Sequence, residues 1–311
     1  MPSRSPLPPR FGLDAARIRT PQQGHWATVR EWLHWKLTRV PDEDVDAALA
    51  AGEYVDDDGR PLTQDTAFVP EQRIWFHREL PVEVDVPFDI PVLYRDERIV
   101  VVDKPHFLAT IPRGQHIRQT VVVRLRRELD LPELSPVHRL DRATAGVLLL
   151  TTEQQWRGPY QNIFRDRLAR KNYHAIAGFR DDLELPREVR SHIAKDRGTI
   201  QAYEVQGAEP NAVTRIELLD RQGAQALYRL EPTTGRTHQL RVHLASLGIP
   251  IVGDALYPEL LEVAPDDFSA PLQLLAQRLA FRDPITGADR EFLSERELVG
   301  APRFGRPGDD G

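Results

Sequence analysis

The longest nearly unbroken apolar run in this chain of 311 residues is Ala145 to Leu150. A helix that crosses a bilayer needs about 20 apolar residues, so no segment is expected to span a membrane. A run this short, followed by the turn-prone Thr151–Thr152–Glu153, predicts a buried strand over 146–151. The stretch before it, Pro136 to Ala145, is polar. The chain is therefore expected to feed a polar loop directly into a core strand.

Other segments fill out an α+β domain on an antiparallel or mixed sheet. Ile99 to Asp103 reads as a second buried strand, and Gln119 to Leu129 and Gln154 to Arg167 as helices. Strands are expected over 172–178, 200–205, 212–219 and 224–231. A helix is expected over 237–247, with Thr237 as N-cap and Gly248 as its stop, then strands near 272–281 and 291–293. Upstream, Thr28 and Glu31 form a capping box for a helix that places Val29, Trp32, Leu33 and Leu37 on one face. A short helix over 42–51 follows. The expected organisation is a flexible lead over 1–24, a small α/β module over 25–80, a proline-rich linker over 81–91, a main domain over 92–298 and a disordered tail over 299–311.

The absence of cysteine excludes disulfides, thiolate zinc sites, iron–sulfur clusters and a cysteine nucleophile. The proline-rich N-terminus, Met1 to Arg10, lacks an apolar signal core, and a cytoplasmic location is expected. Net charge is −6, so no global basic field marks a nucleic-acid binder. Binding depends on a local face, however, and an average does not report one. From Pro41 to Gly59 there are eight acidic residues and no basic one, a surface that repels phosphate.

Three constellations can carry chemistry. The first is His138–Arg139–Leu140–Asp141–Arg142, in the polar loop. An aspartate between two arginines is favoured as the ionised carboxylate, which can act as nucleophile or base. The same residues could equally form a surface ion-pair cluster. The second runs from Thr233 to His243. His238 and Arg241 are three apart and share a helix face, either as a site or as the solvated side of an amphipathic helix. His238 and His243 are five apart, and no paired metal-ligand spacing occurs, so no metal is expected. The third is Arg170 to His174. Lys171 and Tyr173 point to one side of a strand; a tyrosine there can stack on a base or fill a core.

Taken in order, these segments resemble the RNA pseudouridine synthases of the RluA type, which modify ribosomal and transfer RNA. The resemblance rests on Val92 through Pro105, His138-Arg139-Leu140-Asp141, Thr144–Ala145–Gly146, Lys171-x-Tyr173, Gly235 through His243, Gly253–Asp254 and Tyr257–Pro258. It covers about two-thirds of the chain, from roughly 90 to 293. Ala145 stands where that family usually has serine, and Ala276–Gln277 where it usually has His-Ala. The resemblance implies a mixed-sheet catalytic domain with a central RNA cleft, no metal and no organic cofactor. It implies that Asp141 is the catalytic aspartate, Tyr173 the active-site tyrosine and Arg241 the arginine that pairs with the aspartate. Arg139 would take the place of the flipped-out uridine. His138, Arg142, Lys171, Arg236 and His238 would contact substrate. The partner would be ribosomal or transfer RNA, and the enzyme a monomer. The 25–80 segment is similar to a small RNA-binding module of many relatives, although its acidic run does not suit that role.

Two alternatives stand beside this reading. One is an RNA-binding or chaperone-like protein on the same fold. The other is a glycosidase or nucleosidase, which would need a second carboxylate about 5–10 Å from Asp141.

Overall fold

The computed structural model describes residues 5–38, 40–78, 80 and 82–298. The first four residues of the expected lead and the whole of the expected tail, 299–311, lie outside the described residues. The chain divides into two units, Met1–Val82 and Glu83–Gly311.

In the first unit, β1 (Ala16–Arg19) pairs antiparallel with β2 (Arg73–Phe76), and α1 (Val29–Lys36) and α2 (Asp42–Ala50) lie between them in sequence. β1 falls where the sequence suggested only a flexible lead. Its pairing with β2, with Ala16 opposite Phe76, is a long-range contact that local sequence does not announce. The Thr28 hydroxyl accepts the Glu31 N–H at 3.3 Å and the Glu31 carboxylate accepts the Ala27 N–H at 2.8 Å, so the capping box closes one residue upstream of the N-cap. Val29, Trp32 and Leu33 are buried against Val45, Leu49 and Ile74.

The second unit continues with β3 (Val92–Arg95), β4 (Ile99–Lys104), α3 (Val121–Glu128), β5 (Ser135–Pro136), β6 (Ala145–Thr151) and α4 (Gln154–Arg165). Next come β7 (Arg170–Gly178), β8 (Arg187–Ser191), β9 (Ile193–Ala194), β10 (Tyr203–Glu204), β11 (Ala212–Gln222) and β12 (Gln225–Pro232). The chain ends with α5 (Gln239–Ser246), β13 (Leu274–Arg282) and β14 (Asp289–Leu293). Ten strands form one sheet in the order β3-β4-β6-β13-β7-β12-β11-β8, with β14 on β13 and β5 on β6. β6 and β13 run parallel and the other pairs antiparallel, a mixed sheet in an α+β fold.

All of β6 is buried. Its alternating side chains enter two cores: Leu148 and Leu150 join Val100, Val102 and α3, while Val147 and Leu149 join Ile99, Val101 and α4. A strand covered on both faces reads as a continuous apolar run rather than an alternating one. That is why the longest such run in the sequence marks the centre of the sheet.

The segment after Val82 is docked rather than free. The Glu83 carboxylate accepts three consecutive backbone N–H groups, those of Ile117, Arg118 and Gln119, at 2.6–3.0 Å. Asp85 accepts the Gln119 amide at 2.7 Å, and Val86 and Ile90 enter the core beside α3. Strands β8 and β9 add to those the sequence predicts, and the strand expected over 200–205 shortens to two residues. Arg187 to Ser191 is an edge strand of mostly polar residues that lacks an apolar signature.

Gly146 sits where β6 meets β13. Its φ is +111°, and a Cβ there would lie 2.3 Å from the Ala276 carbonyl oxygen. Gly146→Ala is expected to cost about 2–6 kcal/mol, from backbone strain and overpacking of about 1–3 kcal/mol each. Urea unfolding checks this; a loss below about 1 kcal/mol would show that the strand junction yields more easily than its geometry implies.

Candidate active site

The loop between β5 and β6 carries the first constellation, and the structure holds it from behind. Lys104, fully buried at the end of β4, donates to the carbonyls of Pro105, Leu108 and Arg142 at 2.7–3.3 Å. Burial pushes its ammonium well below the ordinary lysine pKa, against the pull of the Asp141 charge. His106 Nδ1 donates to the Ala143 carbonyl at 2.7 Å. Burial lowers that ring to about 4. The Thr110 hydroxyl donates to the Leu140 carbonyl at 2.8 Å and accepts the Leu140 N–H at 3.2 Å. The Thr144 N–H closes the turn on the Asp141 carbonyl at 3.1 Å.

Asp141 itself is half-buried in the wall of a cleft of about 970 Å³. Among the described residues its carboxylate has no hydrogen-bond or ion-pair partner. Tyr173 on β7 faces the same space between two apolar cores. Burial, then the nearby Asp141 charge, raises its phenol above the ordinary tyrosine range, so it stays protonated. Lys171, two residues earlier, donates to the Thr234 carbonyl at 2.8 Å. Burial, with the neighbouring Arg167 charge, brings Lys171 down to about 8.

The opposite wall is the turn into α5. Gln239, not Thr237, organises it. Its side-chain oxygen accepts the Arg236 N–H and the Thr234 hydroxyl, and its amide donates to Val213 and Thr214. His238 becomes the N-cap in a left-handed conformation, φ +56°, and its Nδ1 lies 2.9 Å from the Tyr257 hydroxyl. Gly248 ends the helix with φ +74° as the sequence indicated. The helix is not amphipathic: Gln239 through His243 are all buried.

Arg241 is 4% exposed and does not pair with Asp141 as expected. Its Nε and Nη2 donate to Asp254 at 2.8 and 2.5 Å. Asp254 also accepts the N–H groups of Leu256 and Tyr257, and the guanidinium stands 5.3 Å from the Tyr257 ring. Burial opposes the arginine's charge, but the Asp254 bond and the charges of Asp254 and Asp141 outweigh it and raise its pKa. Asp254 was visible in the sequence only as part of Gly253–Asp254. It lies 13 residues beyond Arg241, outside any helical spacing.

The remaining expected contacts divide. Arg139 and Arg236 are exposed and line the cleft, Arg236 with its Nε 3.3 Å from the Asn211 carbonyl. Arg142 lines it too, with its guanidinium carbon 5.9 Å from the centre of the Phe107 ring. His138 lines it but is engaged elsewhere: the ring stacks on Phe164 at 4.4 Å, and Nε2 accepts the Leu149 N–H at 3.1 Å. Burial and the Lys171 charge drop it to about 3, a neutral ring that anchors the loop on β6. Arg113, Arg165, Arg167 and Lys195 also line the cleft and had no sequence signal. Among the described lining residues there are nine arginines and lysines and one carboxylate, Asp141.

Breaking one half of a buried pair leaves an uncompensated charge, at a cost of about 3–5 kcal/mol. Arg241→Met is expected to lose that much stability, and adding Asp254→Asn should recover part of it. Urea denaturation of the two variants tests the pair; a single-variant loss below about 1 kcal/mol would argue against it.

Residues 98–246 match the family model described as RNA pseudouridylate synthase. The chain is 34% identical over 206 residues to an uncharacterised RNA pseudouridine synthase of Synechocystis, covering 64% of this chain and 69% of that one. It is 32% identical over 226 residues to the dual-specificity RNA pseudouridine synthase RluA of Yersinia pestis, covering 67% of this chain and 99% of that one. The solved structure of human RNA pseudouridylate synthase domain containing 4 superposes with a TM-score of 0.52 at 28% identity, covering 69% of this chain and 89% of that one. The mixed sheet, the ordered motifs and these matches agree: the chain belongs to the RNA pseudouridine synthases, the isomerases that turn uridine in RNA into pseudouridine.

Proposed function

We propose that the chain isomerises uridine in ribosomal or transfer RNA, with Asp141 as the catalytic carboxylate. The observation that carries this reading is the charge of the cleft. A chain of net charge −6 lines one cavity with nine cations and a single aspartate. The cations other than Arg241, which is committed to Asp254, suit a polyanion. The lone carboxylate works against binding one, and so calls for a chemical role.

The reaction breaks the bond between N1 and C1′, turns the uracil and joins C5 to C1′. The proton on C5 leaves and N1 gains one. The base has to leave the helical stack to enter a pocket. Asp141 can begin the reaction as a nucleophile at ribose or uracil, or as a base toward a ribose proton, and each role requires the ionised form. Tyr173, held protonated, offers a ring for the uracil to stack on. Arg241 acts on Asp141 through its field, since both of its paired donors go to Asp254. Arg139, exposed in the cleft lining, suits the space that the uridine leaves. A glycosidase reading would need a second carboxylate in the cleft, and Asp141 is the only one among the described lining residues.

Asp141→Asn is expected to lower turnover by about 10³-fold or more while RNA affinity holds or rises. Single-nucleotide pseudouridine mapping of RNA from cells lacking the gene, complemented with wild type or Asp141→Asn, reads both activity and target. Wild-type activity in the variant would overturn the assignment. Lys171 loses its charge as pH rises through about 8. Its attraction for phosphate is present below that pH and fades above it, so KM for RNA should rise as pH passes through 8. Lys171→Gln should bind more weakly and flatten that part of the profile. An unchanged profile would show that Lys171 does not face the RNA.

A further inference from the structure

The Asp141 carboxylate enters the cleft from a loop that is held through its backbone. No side chain among the described residues holds it, and the arginine expected to do so is committed to Asp254. A reactive group must nevertheless be held close to its productive geometry, because small misplacements cost rate. What the structure offers instead is the bonding of the peptide groups on either side.

Those peptide groups are unusually well held. The carbonyls of Leu140, Asp141, Arg142 and Ala143 accept from Thr110, Thr144 N–H, Lys104 and His106, respectively. Thr110 differs from the others. It is 3% exposed, and its one hydroxyl takes both polar groups of Leu140, the residue immediately before Asp141. A single oxygen bonded to the N–H and the C=O of one residue couples the peptide planes on either side of it and restrains that residue's φ and ψ together. The direction in which the next side chain leaves the loop follows from them. The segment that carries Thr110 is itself held at its far end by Glu83, which accepts three N–H groups at 117–119.

We infer that Thr110 is a positioning residue for the isomerisation: its hydroxyl, acting through the Leu140 backbone, places the point from which the Asp141 side chain enters the cleft. The inference rests on the catalytic role proposed for Asp141. It adds a residue outside the three constellations; Thr110 also lines the cleft, and the Kd for RNA separates positioning from contact with it.

Thr110→Val keeps the shape and removes the hydroxyl. It is expected to lower single-turnover kcat by about 10- to 100-fold, with the Kd for RNA within about two-fold of wild type. Thr110→Ser restores the hydroxyl and should recover most of the rate. A merely structural role would lower stability and binding together and would not split kcat from Kd. His106→Ala, at a half-buried position, removes one bond on the other side of Asp141. It serves if Thr110→Val does not fold, and should lower kcat several-fold at unchanged Kd. A folded Thr110→Val or His106→Ala with wild-type kcat would overturn the inference, as would Thr110→Ser no better than Thr110→Val. Asp141→Asn is the control: if it stays active, the catalytic reading itself fails. If it is inactive while the folded Thr110→Val is fully active, the positioning role alone fails.

Discussion

The architecture of the larger unit depends on one strand being covered on both faces. β6 sits between β4 and β13 and buries every residue from Ala145 to Thr151, so it has no freedom to slip. A one-residue shift would exchange the side chains that fill the two cores. The loop that precedes such a strand leaves the sheet at a fixed point. Asp141, four residues before the strand, inherits that fixity. The parallel contact with β13 tightens the junction further, since it brings the Ala276 backbone against the α-carbon of Gly146.

Two kinds of charge surround the cleft and do different work. One kind is spent inside the protein. Lys104 is satisfied by three carbonyls, and Arg241 by a buried aspartate. These groups fix geometry and are not free to meet a ligand directly. The other kind, such as Arg139 and Arg236, stays exposed at the cleft. A cation already paired within the fold holds position, and an exposed one can gain a partner when a polyanion arrives. The acidic run at 41–59 lies in the other unit, but residues 83–311 also carry more acidic than basic residues, so the cationic cavity is a local gathering of charge within its own unit.

Much of this was legible in the sequence, for identifiable reasons. The apolar run predicted β6, and the ordered motifs led to Asp141, Tyr173 and Arg241, which line one cleft. Relations between distant residues were not legible. Arg241 meets Asp254 through a tight turn at Gly253, φ +75°, where a Cβ would lie 2.5 Å from the Pro271 carbonyl oxygen. The resemblance implies that His138 contacts substrate, yet Phe164 on α4 and the Leu149 N–H on β6 fix its ring. Thr110 carries no motif; its role is visible only once Leu140 is beside it. Strand β8, polar and at a sheet edge, lacks the periodicity by which strands are recognised.

The Glu83 carboxylate bears on where the larger unit begins. Sequence placed that boundary at residue 92, after the prolines, but three N–H groups at 117–119 find their acceptor nine residues earlier. A chain trimmed to residue 92 would keep every strand of the large sheet. It would leave three adjacent donors facing the place of a missing carboxylate, in the segment that leads from the cleft wall into α3. That acceptor belongs structurally to the larger unit although it lies upstream of the first strand.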